Sequence, residues 1–300
     1  MILTKMACAS EANNSHHIRS ISLPSRSHPN VVEIDEELRK LKSRDVSSSC
    51  TASTVSSDLL ILEGLYKCIA DLLNLPLTQQ ALSNHQQEKW VDELLDGSVR
   101  LLDICGTTRD FMSQIKEHVV DLQSAIRRKK GDLTLASSIS KFNSFRRKMK
   151  NQAKKLIADL KQVDIKTACS SILNLDYHLS DVIRVLKEVS SVSISIFQSL
   201  LIFFSSPVSK SKPTKWSLVS KLIQKGTVTC EEQIENKSEL EKVDSALNTY
   251  DSCESEKIEV TQERLKELRD GIEVIESGIE CMSRRLIRTR ASLLNIISSL

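Results

Sequence analysis

Glycine and proline are scarce in this chain, at 7 and 5 residues in 300, where average usage would supply roughly three times as many of each. Folds that turn every few residues are therefore disfavoured, and long uninterrupted helices are the natural reading. Catalytic signatures are missing as well. No phosphate loop, nucleophile elbow, zinc-ligand pair, kinase motif or dinucleotide fingerprint occurs, and the glycines such loops need are not there. The chain is expected not to be an enzyme and to use no cofactor or metal. Excess charge is lacking too. A net +3 is too little to imply a nucleic-acid partner, and aromatics, 4% of residues, are too sparse among the basic residues to stack bases.

The cysteines are scattered as Cys8, Cys50, Cys68, Cys105, Cys169, Cys230, Cys253 and Cys281, without a Cys-x-x-Cys pair, and no apolar leader opens the sequence. This predicts a reduced compartment in which cysteines act as small apolar fillers. The expected location is cytoplasmic, with membrane-peripheral and nuclear placements kept as alternatives. His85, His118 and His178 lie singly on predicted helices, so they read as surface or half-buried residues rather than bases or ligands.

What the chain does contain is enough apolar material, 40% of residues, to fill a core. The predicted fold is all-α: an elongated helical bundle with a long C-terminal heptad-bearing, coiled-coil-like arm and a disordered N-terminal tail. The tail is expected over 1–30, a short amphipathic helix and Ser/Thr-rich linker over 31–57, the bundle over 58–206, a basic linker over 207–227 and the arm over 228–300. Ile34, Leu38 and Leu41 share a face of the short helix. Ser57 or Asp58 is expected to cap the first bundle helix, which carries Leu62, Leu65, Tyr66, Ile69, Leu72 and Leu73 up to Pro76. Two further helices are predicted on either side of a break at Cys105-Gly106, and a long basic one over Asp132 to Val163. Val192 to Phe204 is the most apolar stretch, too short for the roughly 20 residues that span a bilayer. It reads as a buried bundle helix ahead of a membrane-inserted one.

The arm has the clearest periodicity. Ile258, Leu265, Ile272, Ile279, Leu286 and Leu293 recur every seven residues, with Leu268, Ile275, Met282 and Ile296 between them. That is an a/d seam of five heptads, able to pair with a partner or to fold back on the bundle. Thr261 and Thr289 on the seam, and Gly271 and Gly278 assigned to its outer faces, weaken it.

Charge is segregated. Between Arg127 and Lys166 there are 13 Lys or Arg against 3 Asp or Glu, and between Glu231 and Glu280 there are 16 acids against 6 bases. Two such helices can steer antiparallel pairing within one molecule. A sharper alternative is a basic patch of Arg146, Arg147, Lys148, Lys150, Lys154 and Lys155 that meets anionic lipid or acts as a nuclear import signal. In the tail, Arg19, Ser22 and Pro24 fit the Arg-Ser-x-Ser-x-Pro pattern that 14-3-3-type readers bind once the second serine is phosphorylated.

The segments RSISLPSRSHP, LYKCIADLLNLPLTQQAL, WVDELLDGSVRLLDICG and RRLIRTRASLLNIISSL, in that order, resemble a plant domain-of-unknown-function family related to the BYPASS proteins. The resemblance runs from about Ser15 to the C-terminus. It implies a link to root and shoot development and brings no assigned catalytic residues or cofactor. The function expected is a non-enzymatic helical scaffold or adaptor that meets other proteins through helical surfaces. The alternative is a peripheral membrane protein using the basic helix 127–166 and the apolar stretch 192–204.

Overall fold

A computed structural model describes residues 27–42, 50–85, 88–128, 132–167, 177–206, 237–250 and 255–298. The fold is all-α. The described residues form eight helices: α1 (Pro29–Lys42), α2 (Ala52–Leu73), α3 (Pro76–Ser83), α4 (Lys89–Arg127), α5 (Asp132–Thr167), α6 (Tyr177–Ser205), α7 (Glu239–Asn248) and α8 (Ser255–Ser298).

Local chemistry sets most of the starts. Pro29 and Pro76 open α1 and α3, where a missing backbone N–H breaks no intrahelical bond. Ser238 caps α7 by accepting from the Glu241 N–H. At α2 the predicted cap moves. The helix begins at Ala52, with the Thr51 side chain accepting from the Thr54 N–H, so Ser57 and Asp58 lie inside it. Ala52 and Val55 continue the buried stripe of Leu59 and Leu62 by one and a half turns, and that packing outweighs the modest helix propensity of the intervening serines and threonines. The Ser/Thr-rich linker is therefore helical from residue 52, and residues 43–49 lie outside the described set. Glu239, in the first turn of α7, accepts a bond from the Ala52 N–H at 2.9 Å and brings a negative charge to the positive end of α2.

The break predicted at Cys105-Gly106 is absent, and α4 runs unbroken for 39 residues. The apolar period passes straight through it, with Leu101, Ile104, Cys105, Phe111, Met112 and Ile115 all buried. Gly106 faces outward, where it weakens the helix by about 1 kcal/mol relative to alanine without ending it.

Helices α2, α4, α6 and α8 surround the centre. Helix α8 runs alongside α2 in the same direction, Gly271 facing Ala52 and Gly278 facing Leu59, and opposite to α4, with Lys116 paired to Glu276 at 2.6 Å and Arg290 bonded to Leu95. Helix α6 closes the other side through Tyr66 and Ser193, hydroxyl to hydroxyl at 3.1 Å, and through edge-on rings of Phe111 and Phe204. Helix α5 packs on α4 and α6, and α1 on α2 and α6. Arg184 holds α1 in place with both Asp35 oxygens at 2.9 and 3.0 Å.

The glycines placed on outer faces of α8 prove to be at its contact with α2. A Cβ on Gly271 would come within 2.7 Å of the Ala52 Cβ, and one on Gly278 within 3.2 Å of the Leu59 Cβ. Two small residues seven apart let the two backbones approach where larger ones would hold them off.

Candidate interaction surfaces

Three features read from the sequence are candidates for contact with other molecules, and the fold treats them differently. The heptad seam closes within the chain. Leu265, Leu268, Ile272, Ile275, Ile279, Met282 and Leu286 are buried, and Ile258 is half-buried, against helices of the same chain. Helix α8 packs lengthwise on α2 and α4. The basic and acidic segments, expected to pair antiparallel, meet instead at a buried ion pair, Arg146 with Asp244. Burying a row of leucines and isoleucines, at about 1.5–3 kcal/mol each, outweighs exposed charge pairs of about 0–1 kcal/mol.

The apolar stretch of α6 is also internal. By length and composition α6 could cross a membrane, yet Phe197, Leu200, Leu201, Phe203 and Phe204 are fully buried among its neighbours. Within 192–204 Ile202 is the one large hydrophobic residue left exposed, at 48%. The charges upstream are paired: Arg184 contacts Asp181, Glu188 and Asp35, and Lys42 contacts Glu188.

The basic run of α5 splits in two. Arg146 is withdrawn from the patch: it is 0% exposed and grips Asp244 of α7 with Nη2–Oδ2 at 2.8 Å and Nε–Oδ1 at 3.3 Å. It also donates to the carbonyls of Phe204 at 3.1 Å and Ser206 at 3.5 Å, satisfying the C-terminal end of α6. Burial pushes the Asp244 carboxyl above its ordinary value while Arg146 pulls it down. Nearby, Ser238 and Ser206 are joined hydroxyl to hydroxyl at 3.4 Å, so the chain leaves α6 and re-enters α7 at one place. Asp244 was not singled out from the sequence. Its signal was there, since it follows Val243 on the same apolar stripe as Leu240 and Leu247.

The remaining cations stay in water. Arg147, Lys148, Lys154 and Lys155 are exposed, joined by Lys141 and Lys161, while Lys150 is half-buried. Lys141, Lys148 and Lys155 recur every seven residues, as do Arg147, Lys154 and Lys161, so two adjacent rows share one face. At 1.5 Å per residue the stripe is about 30 Å long. None of these six exposed cations has a carboxylate partner among the described residues. Arg19, Ser22 and Pro24, and the basic linker 207–227, lie outside the described residues.

Chemistry at single residues is muted. His85 bonds the Ala81 carbonyl, His178 bonds Thr78, and His118 packs on Phe142 and Phe145. Burial pushes the Cys50 thiol up to about 11 and the Cys105 thiol up to about 12, far from the thiolate state that makes a cysteine reactive. Among the described residues no three His, Cys, Asp or Glu side chains converge as a metal would require.

The sequence matches the profile of the family described as Protein BPS1 over residues 58–296. The chain belongs to the BPS1 family. The BPS1 match opens at Asp58, inside α2, and closes at Ile296, near the end of α8, so it takes in all four central helices and α5. Helix α1 and the first turn and a half of α2 precede it, a narrower span than the resemblance read from Ser15. Neither a curated protein nor a solved structure matches the chain.

Proposed function

We propose that this member of the BPS1 family is a non-enzymatic helical scaffold or adaptor, and that the exposed cationic face of α5 is the surface it offers to an acidic protein partner. The observation that carries this reading is the unpaired double row of Lys141, Arg147, Lys148, Lys154, Lys155 and Lys161 on a helix whose other side is anchored in the core. A rigidly held row of like charges raises the encounter rate with an oppositely charged surface and orients it. The link to root and shoot development that the family resemblance implies gives the biological setting for such a role. Within it, phosphorylation of Ser22 in the Arg19-Ser20-Ile21-Ser22-Leu23-Pro24 segment is a means of recruiting a 14-3-3-type reader. A Ser22-phosphorylated peptide spanning residues 15–30 should then bind a 14-3-3 protein, and the unphosphorylated one should not.

The same cations favour a second reading, a cytoplasmic chain that associates peripherally with anionic membranes, because neighbouring basic residues each contribute about 1 kcal/mol near such a surface. The apolar half of that reading is weakened by the burial of α6 within the bundle. The two readings separate on one variant, Arg147→Gln/Lys148→Gln/Lys154→Gln/Lys155→Gln. As an adaptor, the full chain should keep a defined protein complex that this variant loses, and should stay in solution beside vesicles containing phosphatidylserine. Flotation of the wild-type chain with those vesicles, reversed by salt, would transfer the role to the membrane. Equal complexes with wild type and variant would remove the α5 face from the function.

A further inference from the structure

Where α2, α4, α6 and α8 meet, the packing leaves a partly open cavity of about 40 Å³ between Tyr66, Leu101, Val189 and Leu286. A water needs about 10–15 Å³ of such space, so the cavity holds a group of about three heavy atoms. Its polar lining is one guanidinium and several hydroxyls, which can donate or accept. Arg290 reaches across from α8, its Nη1 donating to the Leu95 carbonyl at 2.5 Å and to the Ser98 hydroxyl at 3.0 Å. Among the described residues its remaining N–H groups have no partner, and no carboxylate lies within ion-pair distance of it. Every other arginine of α8 has an acidic neighbour in contact except Arg288, which does not line the cavity. The hydroxyls of Ser190 and Thr289 line the same space and have no hydrogen-bond partner among the described residues.

A half-buried guanidinium without a counter-charge, beside two free hydroxyls, is a site with surplus donors and an unbalanced positive charge. One arginine balances one negative charge, so a monoanion fits and a divalent phosphate would bring a second charge with nothing to meet it. A carboxylate group has three heavy atoms and a planar pair of acceptors that matches the guanidinium fork. An apolar pocket of about 10 Å³ adjoins the cavity. Leu94 and Leu293 line both, and Leu82, Trp90 and Ile297 close the pocket.

We propose that this interhelical cavity binds a small aliphatic monocarboxylate, its carboxylate on Arg290, Ser190 and Thr289 and its apolar end against Leu94 and Leu293. This site lies at the junction of the four central helices and does not involve the cationic face of α5. Occupancy would join α8 to α4 and α6 through one shared anion, so the ligand would stabilise the closed bundle by mass action.

The experiment is a titration of the full chain with butyrate, with butanol as the neutral control of similar length and sodium chloride as the ionic control. Trp90, in the adjoining pocket, supplies the fluorescence signal in a Trp216→Phe background, and calorimetry on the unaltered chain supplies an independent one. Butyrate should bind saturably with a Kd of about 1 mM or tighter, the range open to a six-atom ligand, and should raise the melting temperature. Butanol and chloride should do neither. Arg290→Met should weaken butyrate binding about tenfold or more, as removal of a charge-assisted bond does. Thr289→Val, which keeps the volume, should weaken it by a smaller factor while leaving the unliganded melting temperature unchanged. Absence of saturable binding by the wild-type chain, or equal affinity for butyrate and butanol, would mean that the cavity holds water alone and would overturn the proposal. So would undiminished binding by Arg290→Met. If that variant does not fold, undiminished binding by Thr289→Val combined with Ser190→Ala decides against it equally.

Discussion

Helices α5 and α8 are both long and both amphipathic, yet they end in opposite conditions. Helix α8 is clasped by α2 and α4, and its heptad positions from Thr261 to Leu286 are buried. Helix α5 leans on α4 and α6 and keeps a double row of cations in water. The apolar stripe of α8 is continuous for most of its length, and its flank carries Gly271 and Gly278, so a neighbouring backbone can come close enough to cover it. The inner side of α5 is held by Phe142, Phe145, Met149 and Ala153, and its most buried charge, Arg146, is neutralised by Asp244. Continuity of the apolar stripe and small residues beside it decide which helix is enclosed. Charge density decides which is left open.

The comparison is broken most severely at the seam. Leu265 and Ile272 have no exposed surface, and replacing both by Asp should remove about 5 kcal/mol or more, the scale of a whole domain's stability. Thermal unfolding followed by circular dichroism should show no cooperative transition. A melt within a few degrees of wild type would mean that α8 is not part of the core.

One residue step along α5 sharpens it next. Arg146→Met leaves the Asp244 carboxylate buried and alone, which should destabilise by about 3–5 kcal/mol, while Arg146→Met with Asp244→Leu should recover most of that loss. Arg147→Met, on the exposed face, should move stability by less than about 0.5 kcal/mol. Urea unfolding of the three variants tests the contrast, and a similar response at 146 and 147 would contradict it.

Glycines provide a smaller effect with opposite signs. Gly278→Leu should cost about 1–3 kcal/mol by forcing α8 away from Leu59. Gly64→Ala and Gly106→Ala, where an added Cβ meets nothing within 4 Å, should each stabilise by about 0.5–1 kcal/mol. Equal signs in chemical denaturation would remove the close approach as the role of Gly278. Smallest of all is the four-glutamine variant of the α5 face. Its melting temperature should match wild type, because exposed cations without partners contribute little to folding.

Much of this fold was legible. The apolar periods of α2, α4, α6 and α8 named most of the core residues, because periodicity survives any choice of partner. What the periods could not say is which element covers which. The seam at Ile258 to Leu286 has the same pattern whether it faces another chain or α2. Arg146 and Arg147 look alike in a run of bases, and only the arrival of Asp244 from about a hundred residues away separates them. The Cys105-Gly106 pair looks like a break only on local propensity, because the apolar stripe continues across it. Arg290 carries no signal in the sequence, since its distinction is the lack of a carboxylate near it among the described residues.

The parallel contact of α2 with α8 has a consequence for the order of events during synthesis. Gly271 and its neighbour Ala52 are about 220 residues apart, and at 5–20 residues per second the ribosome takes roughly 10–45 s to make that interval. Throughout it the side of α2 that α8 will cover has no permanent cover, and the loop to be closed is about 220 residues long. Completion of the core thus comes long after α2 is made, and a nascent chain halted before α8 emerges should be a preferred client for chaperones that hold exposed apolar helices.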